Sequence, residues 1–234
     1  MRFQDRNAFT AIAIITLVSV LAAGSTFAAK KKKDEPLQVT HDGLELLPDT
    51  EVALAYVKPG ADFSGYKRIM ILDTYVAFRK GWANEQRRNS INKVSNRDIE
   101  RMKKEVAELF REVFVEELDT KGGYAVVESA DTDVLLLRPA IIDLDVTAPD
   151  LKSASRTYNF AASAGAATLY LELYDSVSGE ILARGMDRQV DDTPGGFMRW
   201  SNSGTNRAAA KKVLGYWAGL LRQRLDEIHG KGKE

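Results

Sequence analysis

A chain of 234 residues with 44% hydrophobic and 28% charged side chains has the length and apolar fraction for one globular domain plus accessory segments, not for two full domains. Lys+Arg and Asp+Glu both number 33, so no global field draws the protein to nucleic acid, and an electrostatic partner must be met by a local patch. The absence of cysteine excludes disulfides, thiolate metal sites, thiol nucleophiles and a lipid-attachment cysteine.

Arg2 and Arg6 precede an uncharged apolar run from Ala8 to Ala23, and the small residues Thr26 and Ala28 follow it in the pattern a signal peptidase cleaves. Interrupted by Thr10, Thr16 and Ser19, the run falls short of the roughly 20 apolar residues of a spanning helix. Residues 1–28 therefore read as a removable signal peptide, and the mature protein as periplasmic or envelope-associated. Lys30, Lys31, Lys32 and Lys33 put positive charge after the run, which the positive-inside tendency resists exporting, so an N-terminal membrane anchor is the alternative. The same lysines suit contact with anionic lipid or a cell-wall polymer; a solvated linker is their ordinary role. Residues 29–65 show no sustained period, and Pro36, Pro48 and Pro59 recur among polar residues, as in an extended arm lying on the surface of a domain that spans 66–229. Residues 230–234 read as a disordered tail.

Lys67 to Phe78 is apolar on both alternating faces, which predicts one strand buried in the middle of a sheet. A polar connection over 79–93 holds Trp82 among Arg79, Lys80, Arg87 and Arg88. Ser95 or Asn96 then caps a helix whose stripe is Ile99, Met102, Val106, Leu109, Val113 and Leu118, ended by Gly122 and Gly123. Strands follow at Tyr124–Val127 and Val134–Val146, the second bent at Pro139 and wet on the face carrying Asp143 and Asp145. The small residues of Ala161–Ala167 either admit a second backbone closely or leave the segment mobile. Thr168–Tyr174, with Leu169, Leu171 and Leu173 inward and Tyr170, Glu172 and Tyr174 outward, pairs antiparallel with Glu180–Val190 across a loop that has Gly179 for a positive φ. Beyond an irregular loop, Thr205 opens a last helix reaching His229, with Ala209, Val213, Trp217, Leu220, Leu221, Leu225 and Ile228 on its buried stripe. The fold class is α/β (α+β-like): a single mixed sheet of about five strands packed with two main helices, in the order β-α-β-β-β-β-α.

No pattern selects a reaction. A paired-carboxylate glycosidase needs two acids at a set separation, and nothing singles out two. There is no nucleophile elbow, P-loop or dinucleotide fingerprint, and Pro194-Gly195-Gly196 has the composition of a turn. Asp143 and Asp145, with Asp187, Asp191 and Asp192, supply oxygen atoms of the kind a hard cation takes, but their ordinary reading is a solvated strand edge. No catalytic residue, cofactor site or metal site is assigned. Trp82, Arg87 and Arg88 in one loop, and Phe197, Arg199 and Trp200 in another, combine the residue types enriched at interface hot spots. The alternative is that each tryptophan anchors its own loop to the core.

At Asp133-Val134-Leu135-Leu136 with Pro139-Ala140-Ile141, and at Leu171 to Ser176 with Gly179 to Ala183, the chain resembles the bacterial domain-of-unknown-function 3313 family, loosely from about Tyr66 to Leu225. The resemblance implies an envelope protein without assigned catalytic residues. Many members look like lipoproteins, a pattern this cysteine-free chain departs from. The strand–helix–strand order is also similar to small α/β domains of envelope assembly factors, a likeness of fold alone. Residues and resemblance together lead to the expectation of a non-catalytic periplasmic binding or assembly module that engages another envelope protein. The alternatives are a carboxylate-dependent glycan hydrolase, or a carrier of a small ligand or lipid with its pocket beneath the alanine-rich segment.

Overall fold

The computed structural model describes residues 36–89, 94–146, 159–161, 165–190, 199–201 and 203–231. The expected signal peptide, Lys30 to Lys33, Asp191, Asp192 and Phe197 lie outside them.

The segment expected to be an extended arm contributes two strands, β1 (Glu45–Leu46) and β2 (Leu54–Val57). Leu44 of this segment is fully buried, with its N–H held by the Thr40 hydroxyl at 2.9 Å. The single strand expected over Lys67–Phe78 is instead two, β3 (Arg68–Ile71) and β4 (Tyr75–Phe78). Where a polar connection was expected, a short helix α1 (Trp82–Asn89) leads to α2 (Asn96–Val115). Ser95 caps α2 by a capping box with Asp98, satisfying two otherwise unpaired N–H groups. Its buried residues include Phe110 and Phe114, stacked 3.8 Å apart between ring centres, which widens the stripe toward the sheet. The helix runs out through a π-helical turn, Glu116–Lys121. It stops at Gly122, where an added Cβ would meet the Leu118 carbonyl at 2.7 Å, and Gly123, at φ +68.

There follow β5 (Ala125–Val126), β6 (Val134–Val146), β7 (Asn159–Ala161), β8 (Gly165–Asp175), β9 (Ile181–Val190), β10 (Arg199–Ser201) and α3 (Ser203–Ile228). The main sheet has eight strands, ordered β1-β2-β9-β8-β6-β3-β5, with β4 also on β6. The half from β1 to β6 is antiparallel, whereas β3, β4 and β5 join by parallel pairing. β7 and β10 form a separate antiparallel pair.

Proline explains the broken strand. The Leu72 N–H donates to the Leu137 carbonyl at 2.9 Å, so two residues on, the donor that Pro139 lacks would face this same neighbour. β3 stops opposite Leu137 and β4 resumes opposite Ala140, leaving Pro139 at the interruption. β6 is also irregular nearer its C-terminal end. Register shifts between Ile142 and Asp145, where Asp143 takes φ 50, as in a bulge. Opposite it, Gly165 sits at φ +151, and a Cβ there would collide with the Asp145 carbonyl. At Gly165, therefore, the missing side chain serves close backbone approach.

α2 and α3 cover one face of the sheet. The core joins Ile69, Ile71, Leu135, Leu137, Leu169 and Leu171 from the strands to Leu109, Phe110, Phe114, Leu214, Trp217 and Leu225 from the helices. Leu214 belongs to that core although the expected stripe omits it, and Ile228, expected on the stripe, is exposed. The helices are tied by Glu112 to Arg207 (2.8 Å) and Lys211 (2.7 Å), and by Glu117 to Arg222 (2.9 Å).

Candidate functional site

Between the helix-covered face of the sheet and the two long helices lies a cleft of about 320 Å³. Its existence follows from residue size. Toward the C-terminal half of α3, Leu214 and Trp217 fill the gap to the sheet; one to two turns earlier α3 presents Ala209 and Ala210, facing Gly165, Ala166 and Ala167 of β8. Small groups on two opposed walls leave a void that Phe78, Val106, Leu109 and Leu144 line with apolar surface. Polar side chains enter as Glu105, Asp145, Gln189 and Arg207.

Trp217 forms part of the wall, and its indole N–H donates to the Asp187 carboxylate at 2.8 Å. Asp187 also accepts from Gln189 Nε2 (2.7 Å) and the Ala53 N–H (3.1 Å), so this buried acid is a fastening between α3, β9 and the segment leading into β2. Its neighbour in the proposed acidic group, Asp145, pairs with Arg79 at 2.8 Å, while Asp143 is exposed at the bulge. Among the described residues no three His, Asp or Glu stand where they could hold a metal ion.

The candidate interface residues are dispersed. Trp82 is fully buried, stacked on Phe78 with ring centres 4.0 Å apart, and its indole N–H donates to the Val146 carbonyl at 3.0 Å. This corrects the expectation of a partner-facing tryptophan: the ring anchors α1 to the end of β6. Arg87 donates to the Val94 carbonyl (3.1 Å) and to Asn96 (2.5 Å), bracing the entry to α2. Arg88 is exposed. Arg199 and Trp200 lie on β10, opposite Ala161 and Phe160 of β7.

The other face of the sheet holds a cluster that sequence reasoning missed. Glu172, expected to face water, is buried and accepts from Tyr174 (2.8 Å), Tyr170 (3.0 Å), Arg184 (2.9 and 3.1 Å) and Arg138 (3.3 Å). Arg184 reaches on to Asp42, tying the N-terminal segment down. Burial pushes the Glu172 carboxyl up, but the hydrogen bonds from the tyrosines and Arg184 outweigh it and leave the group below its ordinary range. Burial and the same carboxylate push the Tyr170 hydroxyl up to about 12. A carboxylate so firmly ionised and so fully engaged is a structural acceptor, not a proton donor. The signal was incomplete: counting back from Tyr174 opposite Ile181 places Ala183 opposite Glu172, and only the register shift between Leu173 and Tyr174 brings Arg184 there.

That loop also sets an acid limit. Asp175 accepts from the Ser178 N–H (2.6 Å) and hydroxyl (2.7 Å) and from Tyr66 (2.8 Å), which lower its carboxyl to about 2. Arg184, with Thr40, likewise holds Asp42 below the carboxylate range. The folded state binds these protons less readily than the unfolded chain, whose aspartates titrate near about 3.9. Their stabilisation is therefore fully present above about pH 5 and lost progressively as pH falls, through about 2 for Asp175 and lower still for Asp42. Urea midpoints measured across that window should fall steeply with acid, and Asp175→Asn should flatten the slope.

A family model described as "Protein of unknown function (DUF3313)" matches residues 39–221. The chain belongs to this family. The DUF3313 match takes in every strand of the main sheet, α1, α2 and most of α3, and so contains the cleft and the Glu172 cluster. No curated protein matches. Among solved structures, the chain is similar to protein XCC0632 from Xanthomonas campestris, at 11% identity over 75% of this chain and 91% of that one, with TM-score 0.40. It is similar to the PelC dodecamer from Paraburkholderia phytofirmans at 10% identity, 71% and 96% coverage and TM-score 0.38. A putative neuraminyllactose-binding hemagglutinin homolog from Helicobacter pylori follows at 12%, 73% and 88%, and 0.37.

Proposed function

We propose that this DUF3313 protein is a non-catalytic binding module of the cell envelope, and that it binds a small, largely apolar ligand in the cleft between the sheet, α2 and α3. The single observation that carries the reading is the cleft itself. Concave, mostly apolar sites with a few polar groups are where small ligands bind, and a volume of about 320 Å³ falls within their size range. The compartment rests on residues 1–28, whose composition is that of a signal peptide. Three of the described acids that a hydrolase could call on are engaged elsewhere: Glu172 with two tyrosines and Arg184, Asp187 with Trp217, Asp145 with Arg79.

Native mass spectrometry of the protein purified from its own envelope tests the reading. A co-purifying non-protein mass, released by organic extraction, is the expected result. No such mass, together with a protein cross-linked through the exposed Arg88 of α1 or through β10, would replace the small-ligand reading with a protein-partner one.

A further inference from the structure

We infer that the ligand of the cleft is an uncharged amphiphile with one aliphatic chain, seated tail inward with its polar head among the charged side chains of the lining; this rests on the binding reading above. The interior favours a chain. Trp217 has its indole N–H taken by Asp187, so the ring offers the cleft apolar surface, and the opposed alanines of α3 and β8 leave a narrow space with no polar side chain of their own. At about 320 Å³ the volume lies at the lower end of the roughly 300–1,000 Å³ of small-molecule sites, room for one chain rather than for a two-chain lipid.

The charged lining groups decide the head. Glu105 is answered by Arg101 at 3.0 Å, Asp145 by Arg79 at 2.8 Å, and Arg207 by Glu112 at 2.8 Å, with Lys211 also on Glu112. An anionic or cationic head gives up part of its hydration here for side chains that each already hold an ion-pair partner, and at such partly exposed positions a further pair adds little. A hydroxyl-bearing head surrenders less, and Gln189 stands among these groups as a neutral polar side chain.

Isothermal titration of the full chain with monododecanoylglycerol, dodecanoate and dodecyltrimethylammonium, each below its micelle concentration, tests the assignment. The glycerol ester should bind at least about tenfold more tightly than either ion, a gap of about 1.4 kcal/mol. Ala210→Phe, which places a ring in the void, should weaken that binding by about tenfold or more. If Ala210→Phe does not fold, Ala167→Leu fills the same space from the sheet. Tighter binding of either ion overturns the head-group assignment and leaves the cleft a binding site. No binding of any of the three overturns both readings, and undiminished binding by a folded filling variant overturns the cleft as the location.

Discussion

Trp82→Ala should cost about 3–5 kcal/mol of stability, read as a lowered urea midpoint, because it removes a fully buried aromatic side chain and leaves a cavity. The change also deletes the stack on Phe78 and leaves the Val146 carbonyl without its indole donor. Trp82→Phe keeps most of the ring contact and loses the hydrogen bond, so its cost should be smaller, about 1–3 kcal/mol. The sequence admits two roles for this residue, anchor or hot spot, and the measurement separates them. A loss below about 1 kcal/mol accompanied by failure to capture a partner would restore the interface role.

Glu172→Ala should be of similar size, about 3–5 kcal/mol, for a different reason. Its carboxylate is the shared acceptor for two tyrosines and Arg184, and the Arg184 side chain is only 14% exposed. Removing the acid leaves a buried guanidinium with Asp42 as its remaining carboxylate, and two hydroxyls without an acceptor. The double change Glu172→Leu with Arg184→Met removes both charges and should be less damaging than the sum of the single changes. Additive losses in that cycle would mean that the two side chains act independently and that the cluster is not held by the pair.

What the sequence disclosed were features set by neighbours along the chain. The Ser95 and Asp98 capping box, the glycine stop after α2, the limits of β6 and the β8–β9 hairpin all follow from spacing within a few residues. What it concealed depends on partners far away. The break between β3 and β4 is imposed by Pro139 on the adjoining strand, and β2 joins the main sheet only because β9 lies beside it. Glu172 reads as solvated because alternation marks a polar face without saying what packs over it. The cleft was legible only as a run of small residues; Ala209, placed on the buried stripe of the last helix, gave no hint that it and Ala210 would face that run.

The pairing of β2 with β9 bears on the order in which the chain can assemble. The Ala53 N–H and its acceptor Asp187 are 134 residues apart in sequence, and contacts of such separation are slow to form because a long loop must close first. The β8–β9 hairpin is local and can close early, as can the helix that begins at Ser95. The first strands to leave the ribosome thus have to wait for almost the last. Until β9 is present, β2 has an open edge on the side that β9 will cover, an interval in which a holding chaperone has a segment to protect.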